Sequence, residues 1–214
     1  MSILKSVATG LFVFCASIGV GNAAFAKYLI VTEPNFQSNN AQTNATNLGL
    51  DFDTISLSGL SASNGATLAA SYSTLYLAPG STNYSTYSSL SANGGVLDSY
   101  VSQGGVAILN VGATTSGTFA NVLPGSVDYG GSRQNTGFTV DLSHPFISGI
   151  GFGGTALTAN DDFNGANGWN STSHGFLTDL PAGATVIVDH AVGAQMIEYA
   201  HGDGLVIGSG LTFG

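Results

Sequence analysis

Cysteine is nearly missing from this chain: of 214 residues only Cys15 carries a thiol. Charge is scarce too, at 7% of residues against roughly 25% in an average soluble protein. Cations are the scarcest of all, with three Lys and Arg against 12 Asp and Glu and a formal net charge of -9. A nucleic-acid surface or an anchor on anionic lipid needs clustered cations, so both are excluded as partners. What is present is apolar and small. Hydrophobic residues make up 43% and glycine supplies 31 positions, so surface polarity comes from Ser, Thr and Asn. The length suits one domain with a single core.

Lys5 precedes an apolar run from Val7 to Val20, and Ala24-Phe25-Ala26 places small residues where a signal peptidase reads them. The run is about 14 residues, shorter than the roughly 20 that span hydrocarbon. This predicts a signal peptide over 1–26, cleaved after Ala26, and no membrane anchor afterwards. Cys15 lies inside the leader behind Phe14 rather than a small residue, which argues against lipidation. The mature chain, 27–214, is then without a thiol, which removes disulfides, thiolate nucleophiles and thiolate metal ligands. Its cations are Lys27 and Arg133. A secreted or periplasmic bacterial protein is expected, with no cofactor.

Tyr28 to Thr32 is a short apolar run rich in β-branched residues, the pattern of a strand covered on both faces. Asn40 is placed to cap a helix carrying Ala41, Ala45 and Leu48, which Gly49 would end. Phe52 to Ser56 reads as a second strand, Ala66 to Tyr72 as a weak helix, and Thr74 to Ala78 as a third strand stopped by Pro79-Gly80. Val96, Leu97, Tyr100 and Val101 form a helical stripe that Asn93 would begin and Gly104-Gly105 end, before a buried strand from Val106 to Val111. Four strands alternating with three helical segments predict parallel pairing through right-handed crossovers. The expected fold is α/β, a three-layer doubly wound, mostly parallel sheet. Beyond Gly112 about 70 residues are Gly-rich with little periodicity; loops and minor strands such as Gly137 to Val140 are expected there. Ala184 to Val188, Gln195 to Tyr199 and Leu205 to Ser209 read as strands of an antiparallel C-terminal extension or a closing of the sheet.

Several fragments, taken in order, resemble the class I glutamine amidotransferase-like superfamily, and within it the trehalose-utilisation (ThuA-like) branch. Leu75-Tyr76-Leu77-Ala78-Pro79-Gly80 is similar to the strand and turn before the central helix, and Leu97 to Gly105 to that helix. Val106 to Thr114 is similar to the strand and elbow after it. His144-Pro145-Phe146-Ile147-Ser148-Gly149 and Gly202-Asp203-Gly204-Leu205-Val206-Ile207 resemble two later signatures. The resemblance implies a flavodoxin-like scaffold and, in glutaminases, a nucleophilic Cys at the elbow. Here the elbow reads Ile108-Leu109-Asn110-Val111-Gly112, and neither Asn110 nor Val111 can attack a carbonyl, so thioester chemistry is excluded. The His that the ThuA-like branch places near the elbow is missing as well. The family usually continues past the last strand, where this chain stops at Gly214.

In an open parallel sheet the ligand crevice lies beyond the C-terminal strand ends. That collects Glu33, Asn35, Gly80, Ser81, Asn110 and Thr114 as candidate ligand-binding residues, or as plain turn formers. Asp161, Asp162 and Asn164 offer oxygen ligands to a hard cation such as calcium, but Ala166 and His174 stand where an EF-hand-type loop needs oxygens, so a Gly/Asn-rich turn is the competing reading. Trp169 either packs on the core or forms a platform for a sugar ring. The histidines make no metal pattern: His144 belongs to a turn before Pro145, and His201 to a hairpin turn where solvation is expected. His174 with Asp162, and with Glu33 as a third member, is the candidate acid/base set. Three functions follow as expectations: an exported non-catalytic domain binding a carbohydrate or cell-surface component, a sugar-acting enzyme of the ThuA-like type, or a structural envelope or matrix protein.

Overall fold

The computed structural model describes residues 27–32, 36–77, 84–112, 117–134, 138–139, 141, 143–145 and 173–211. Strands β1 (Tyr28–Thr32), β2 (Phe52–Ser56), β3 (Thr74–Leu77) and β4 (Val106–Asn110) stand where the apolar runs predict them. Helix α1 (Phe36–Asn47) follows β1, and the short helices α2 (Leu57–Ser61) and α3 (Gly65–Ser71) lie between β2 and β3. Helices α4 (Tyr84–Ser91) and α5 (Val96–Ser102) lie between β3 and β4. Then come β5 (Gly117–Leu123), β6 (Val127–Gln134), β7 (Phe138–Thr139), β8 (Ser173–Thr178), β9 (Thr185–His190), β10 (Gly193–His201) and β11 (Gly204–Ser209).

These strands form one eleven-stranded sheet whose path runs β2-β1-β3-β4-β11-β10-β8-β6-β5, with β9 on β10 and β7 on β9. The fold is α/β with a mixed sheet. β2, β1, β3, β4 and β11 pair in parallel, whereas from β11 outward every described pairing is antiparallel. The α/β class and an antiparallel C-terminal part are as expected, but the sheet is not mostly parallel: the antiparallel wing is as prominent as the parallel part. β5 and β6 were hidden because glycines such as Gly117, Gly130 and Gly131 occupy positions where alternating side chains would announce a strand.

The parallel strands are apolar almost throughout because both faces are covered. Leu29, Val31, Leu75, Leu77, Ala107 and Leu109 point to one face and pack with Leu57, Leu60, Leu68, Tyr87, Leu97 and Tyr100 of α2 to α5. Tyr28, Ile30, Tyr76, Ile108 and Ile207 point to the other and meet Ala41 and Ala45 of α1. Burying each large side chain contributes about 1.5–3 kcal/mol, which the Ser-rich helices need because their own propensity is poor. Burial also pushes the phenol of Tyr76 well above its ordinary pKa.

Local signals settle some ends and miss others. Gly49 closes α1 with φ +66, a left-handed conformation suited to glycine. Yet α1 begins at Phe36, so Asn40 lies within it and does not cap it. Gly95, with no side-chain cap, begins α5 in place of Asn93, and Asp98 takes the Gly94 N–H instead at 2.9 Å. Helix α4, unmarked in the sequence, buries Tyr84, Tyr87 and Leu90. It also covers the outer strand of the wing: Ser88 Oγ donates to the Ala120 carbonyl at 2.6 Å and Ser91 Oγ to Val122 at 3.0 Å. Serine hydroxyls thus occupy carbonyls that an edge strand would otherwise offer to another chain. Among the described residues no helix is long and apolar enough to cross a membrane.

At the opposite end of the sheet, Asp53 Oδ2 on β2 receives Lys27 Nζ at 2.8 Å and the Tyr72 hydroxyl at 2.7 Å. The Lys27 hydrogen bond first, and the Tyr72 hydroxyl second, hold the Asp53 carboxyl below its ordinary value. A depressed carboxyl contributes stability that is present above its unfolded pKa and lost as pH falls through the folded one. Urea midpoints should therefore fall as pH drops below about 4, and Asp53→Asn should flatten part of that decline; an unaltered profile in the variant would contradict the assignment.

Candidate functional site

The carboxyl ends of the parallel strands are laced to one another. β4 ends in Asn110, which is 1% exposed although polar. Its Nδ2 donates to the Leu211 carbonyl at 3.0 Å and its Oδ1 accepts the Gly112 N–H at 3.1 Å. Beside it, the Val111 N–H reaches the Ser209 carbonyl at 2.8 Å and the Leu211 N–H reaches Ser209 Oγ at 3.0 Å. The Tyr84 hydroxyl donates to the Val111 carbonyl at 3.3 Å. The turn after β4 is therefore tied on three sides by β11, α4 and its own asparagine. Space is as tight as the bonding, since a β-carbon on Gly112 would lie 2.8 Å from the Gly210 carbonyl oxygen.

His174 approaches the same segment from the wing, where its N–H donates to the Gly210 carbonyl at 3.1 Å. Of the sequence candidates, Asn110 and His174 are thus brought to one stretch, Ser209 to Leu211. Asn110 meets it through Nδ2 on the Leu211 carbonyl, while its Oδ1 holds Gly112, and His174 meets it through its backbone with a half-buried ring. Glu33, Asn35, Gly80, Ser81, Thr114, Asp161, Asp162, Asn164 and Trp169 lie outside the described residues.

Two histidine pairs carry no sequence signal. His201 Nε2 lies 2.7 Å from Asp98 Oδ1, and its side chain is 23% exposed. The expected solvated turn is corrected: Gly202, at φ +60, packs so closely on Ser102 that a β-carbon would sit 2.5 Å from its Cα, and this brings His201 onto α5. Asp98, in the first turn of α5, is placed where the helix dipole favours a carboxylate. His144 does lie in a turn, but buried, with Nε2 3.4 Å from Glu198 Oε2 on β10. Asp141 Oδ1 accepts from Ser143 Oγ at 2.6 Å and from the Ser143 and His144 N–H groups. These bonds, the Ser143 hydroxyl foremost, hold the Asp141 carboxyl below its ordinary value. The partners are 103 residues apart in one pair and on remote elements in the other, so only the folded chain unites them. Among the described residues no three His, Cys, Asp or Glu side chains gather as a metal site.

Solved structures share this architecture. The cytoplasmic protein STM1381 of Salmonella typhimurium LT2 is 10% identical, covering 86% of this chain and 86% of that one, with a TM-score of 0.51. The cytoplasmic protein STM3548 of Salmonella typhimurium is likewise 10% identical, covering 88% of this chain and 87% of that one, with a TM-score of 0.52. At such identities the likeness shows the fold alone. A beta-galactosidase from Bacillus circulans sp. alkalophilus is 11% identical over 87% of this chain and 28% of that one, and its TM-score of 0.41 carries no argument. No protein-family model and no curated protein matches the chain.

Asn110→Ala would strand the Gly112 N–H and the Leu211 carbonyl in a buried site, at about 1–3 kcal/mol for each unsatisfied group. Chemical denaturation should show a loss of about 2–4 kcal/mol, whereas a loss below about 0.5 kcal/mol would mean the lacing is dispensable.

Proposed function

We propose that the chain is an exported, non-catalytic domain from Lys27 to Gly214, on a three-layer doubly wound scaffold of the flavodoxin and amidotransferase-like kind, which binds a carbohydrate or cell-surface component. The scaffold reading is supported by the parallel order β2-β1-β3-β4-β11, the flavodoxin-like order once β11 is counted as the fifth strand. It is supported too by α1 lying on one face while α2 to α5 lie on the other. The amidotransferase-like and ThuA-like kinship rests on the fragments from Leu75 to Thr114 and the two later signatures.

One observation carries the non-catalytic part. The elbow where a glutaminase would carry its thiolate holds Asn110 instead, and that amide is spent on Leu211 and Gly112. An attacking atom must be presented to substrate beside oxyanion donors; an amide buried at 1% exposure closes the position. Export is supported by the leader pattern, with Ala24-Phe25-Ala26 placed just before Lys27.

The test uses the protein collected from the outside of the cell. N-terminal sequencing should begin at Lys27. Chromogenic glycosides and glutamine should not be turned over, while soluble polysaccharides retard the protein in affinity gels. Turnover of a glycoside that His174→Ala abolishes would overturn the proposal in favour of a sugar-acting enzyme.

A further inference from the structure

Between α4 and α5 the chain turns through Ala92-Asn93-Gly94-Gly95. The Gly95 N–H donates to the Ala92 carbonyl at 2.6 Å, and Gly94 holds φ +77. Asn93 is not among the residues of positive φ, so the turn is of type II, with glycine at the position that needs a left-handed backbone. Asn93 and Gly94 are both exposed, and a β-carbon on Gly94 would meet nothing within 4 Å. An asparagine followed by glycine can cyclise, because no side chain crowds the attacking backbone nitrogen.

The reaction needs no partner but water. The Gly94 nitrogen bonds to Asn93 Cγ and gives its proton to solvent, while the Cγ–Nδ2 bond breaks and ammonia leaves. Water then opens the five-membered imide at either carbonyl, and residue 93 becomes aspartate or isoaspartate. To close that ring the nitrogen must swing into line with Asn93 Cβ. A type II turn sets ψ of its second residue at about +120°, which in an L residue leaves the next nitrogen turned about 120° away from Cβ. The Gly94 N–H is given instead to Asp98 Oδ2 at 2.9 Å. The Asp98 side chain is 15% exposed, and its other oxygen lies 2.7 Å from His201 Nε2, so the carboxylate is held from both α5 and the β10–β11 turn. Rotating the Asn93–Gly94 peptide into the reactive geometry breaks this charge-assisted hydrogen bond.

We propose that Asn93 is a self-modification site kept unreacted by Asp98, and that deamidation there is a one-way record of opening of the α4–α5 turn. Conversion adds a negative charge to the turn that Asp98 holds, and the isoaspartyl form adds one backbone atom, so the 92–95 turn does not close again as before. Helix α4 is the element this releases, and its Ser88 and Ser91 are the residues that occupy carbonyls of β5. The inference stands apart from the ligand reading above.

Peptide mapping by mass spectrometry tests it on the exported protein, incubated at neutral pH in buffer and in urea. Asn164-Gly165 and Asn167-Gly168 supply two further pairs of the same kind in the same digest. In buffer Asn93 should convert at least about ten-fold more slowly than in urea, the factor expected from one hydrogen bond to a charged group. Asp98→Ala should raise the rate in buffer towards the urea value, measured relative to Asn164, and His201→Gln should raise it less. Urea midpoints establish that each variant is folded under the assay conditions; if Asp98→Ala is not, His201→Gln and the wild-type comparison decide. Conversion of Asn93 in the native protein as fast as in urea would overturn the proposal, and so would an unchanged rate in folded Asp98→Ala.

Discussion

The amide of Asn110 joins the two halves of the molecule. β4 closes the sequence-local parallel part, and β11 returns from the far end of the chain to pair beside it. Where both strands end, Nδ2 and Oδ1 of one side chain bridge the turn after β4 to the segment after β11. A buried polar group is tolerated only when its hydrogen bonds are made, and here both ends of the amide are satisfied by backbone.

The wing follows a different logic. Strands β6 and β8 set aromatic rings against glycines. Gly175 faces the ring of Tyr129, and Gly130 faces Phe176, each so closely that a β-carbon would overlap the ring. The Tyr129 side of this arrangement is roofed by Tyr84 and α4. The chain's low charge fits the same scheme: serine hydroxyls on α4, rather than lysines, guard the outer strand. Close histidine–carboxylate contacts join remote elements as well, His201 with Asp98 at 2.7 Å and His144 with Glu198 at 3.4 Å.

The parallel half of the fold was legible because continuous apolar runs such as Tyr28 to Thr32 and Val106 to Asn110 reflect burial on both faces. Helix α4 was not, since Tyr84, Tyr87 and Leu90 sit among serines whose preference is weak and context decides. Strands β5 and β6 were not, because glycine leaves the period of two blank. At the candidate site, Asn110 could be placed at the elbow from order alone, but its role as a brace depends on Leu211, 101 residues away. His201 looked like a solvated turn residue because nothing near it in sequence announces Asp98. The place of Phe176 against Gly130 and Gly193 depends on strand neighbours that nothing near it in sequence announces.

Amide hydrogen exchange at Gly112 tests most directly whether the elbow is braced shut. Its N–H is held by the buried Asn110 Oδ1, so its exchange should be as slow as that of core amides on β4. Exchange at the rate of an exposed loop would show that the turn opens freely, and would contradict the account.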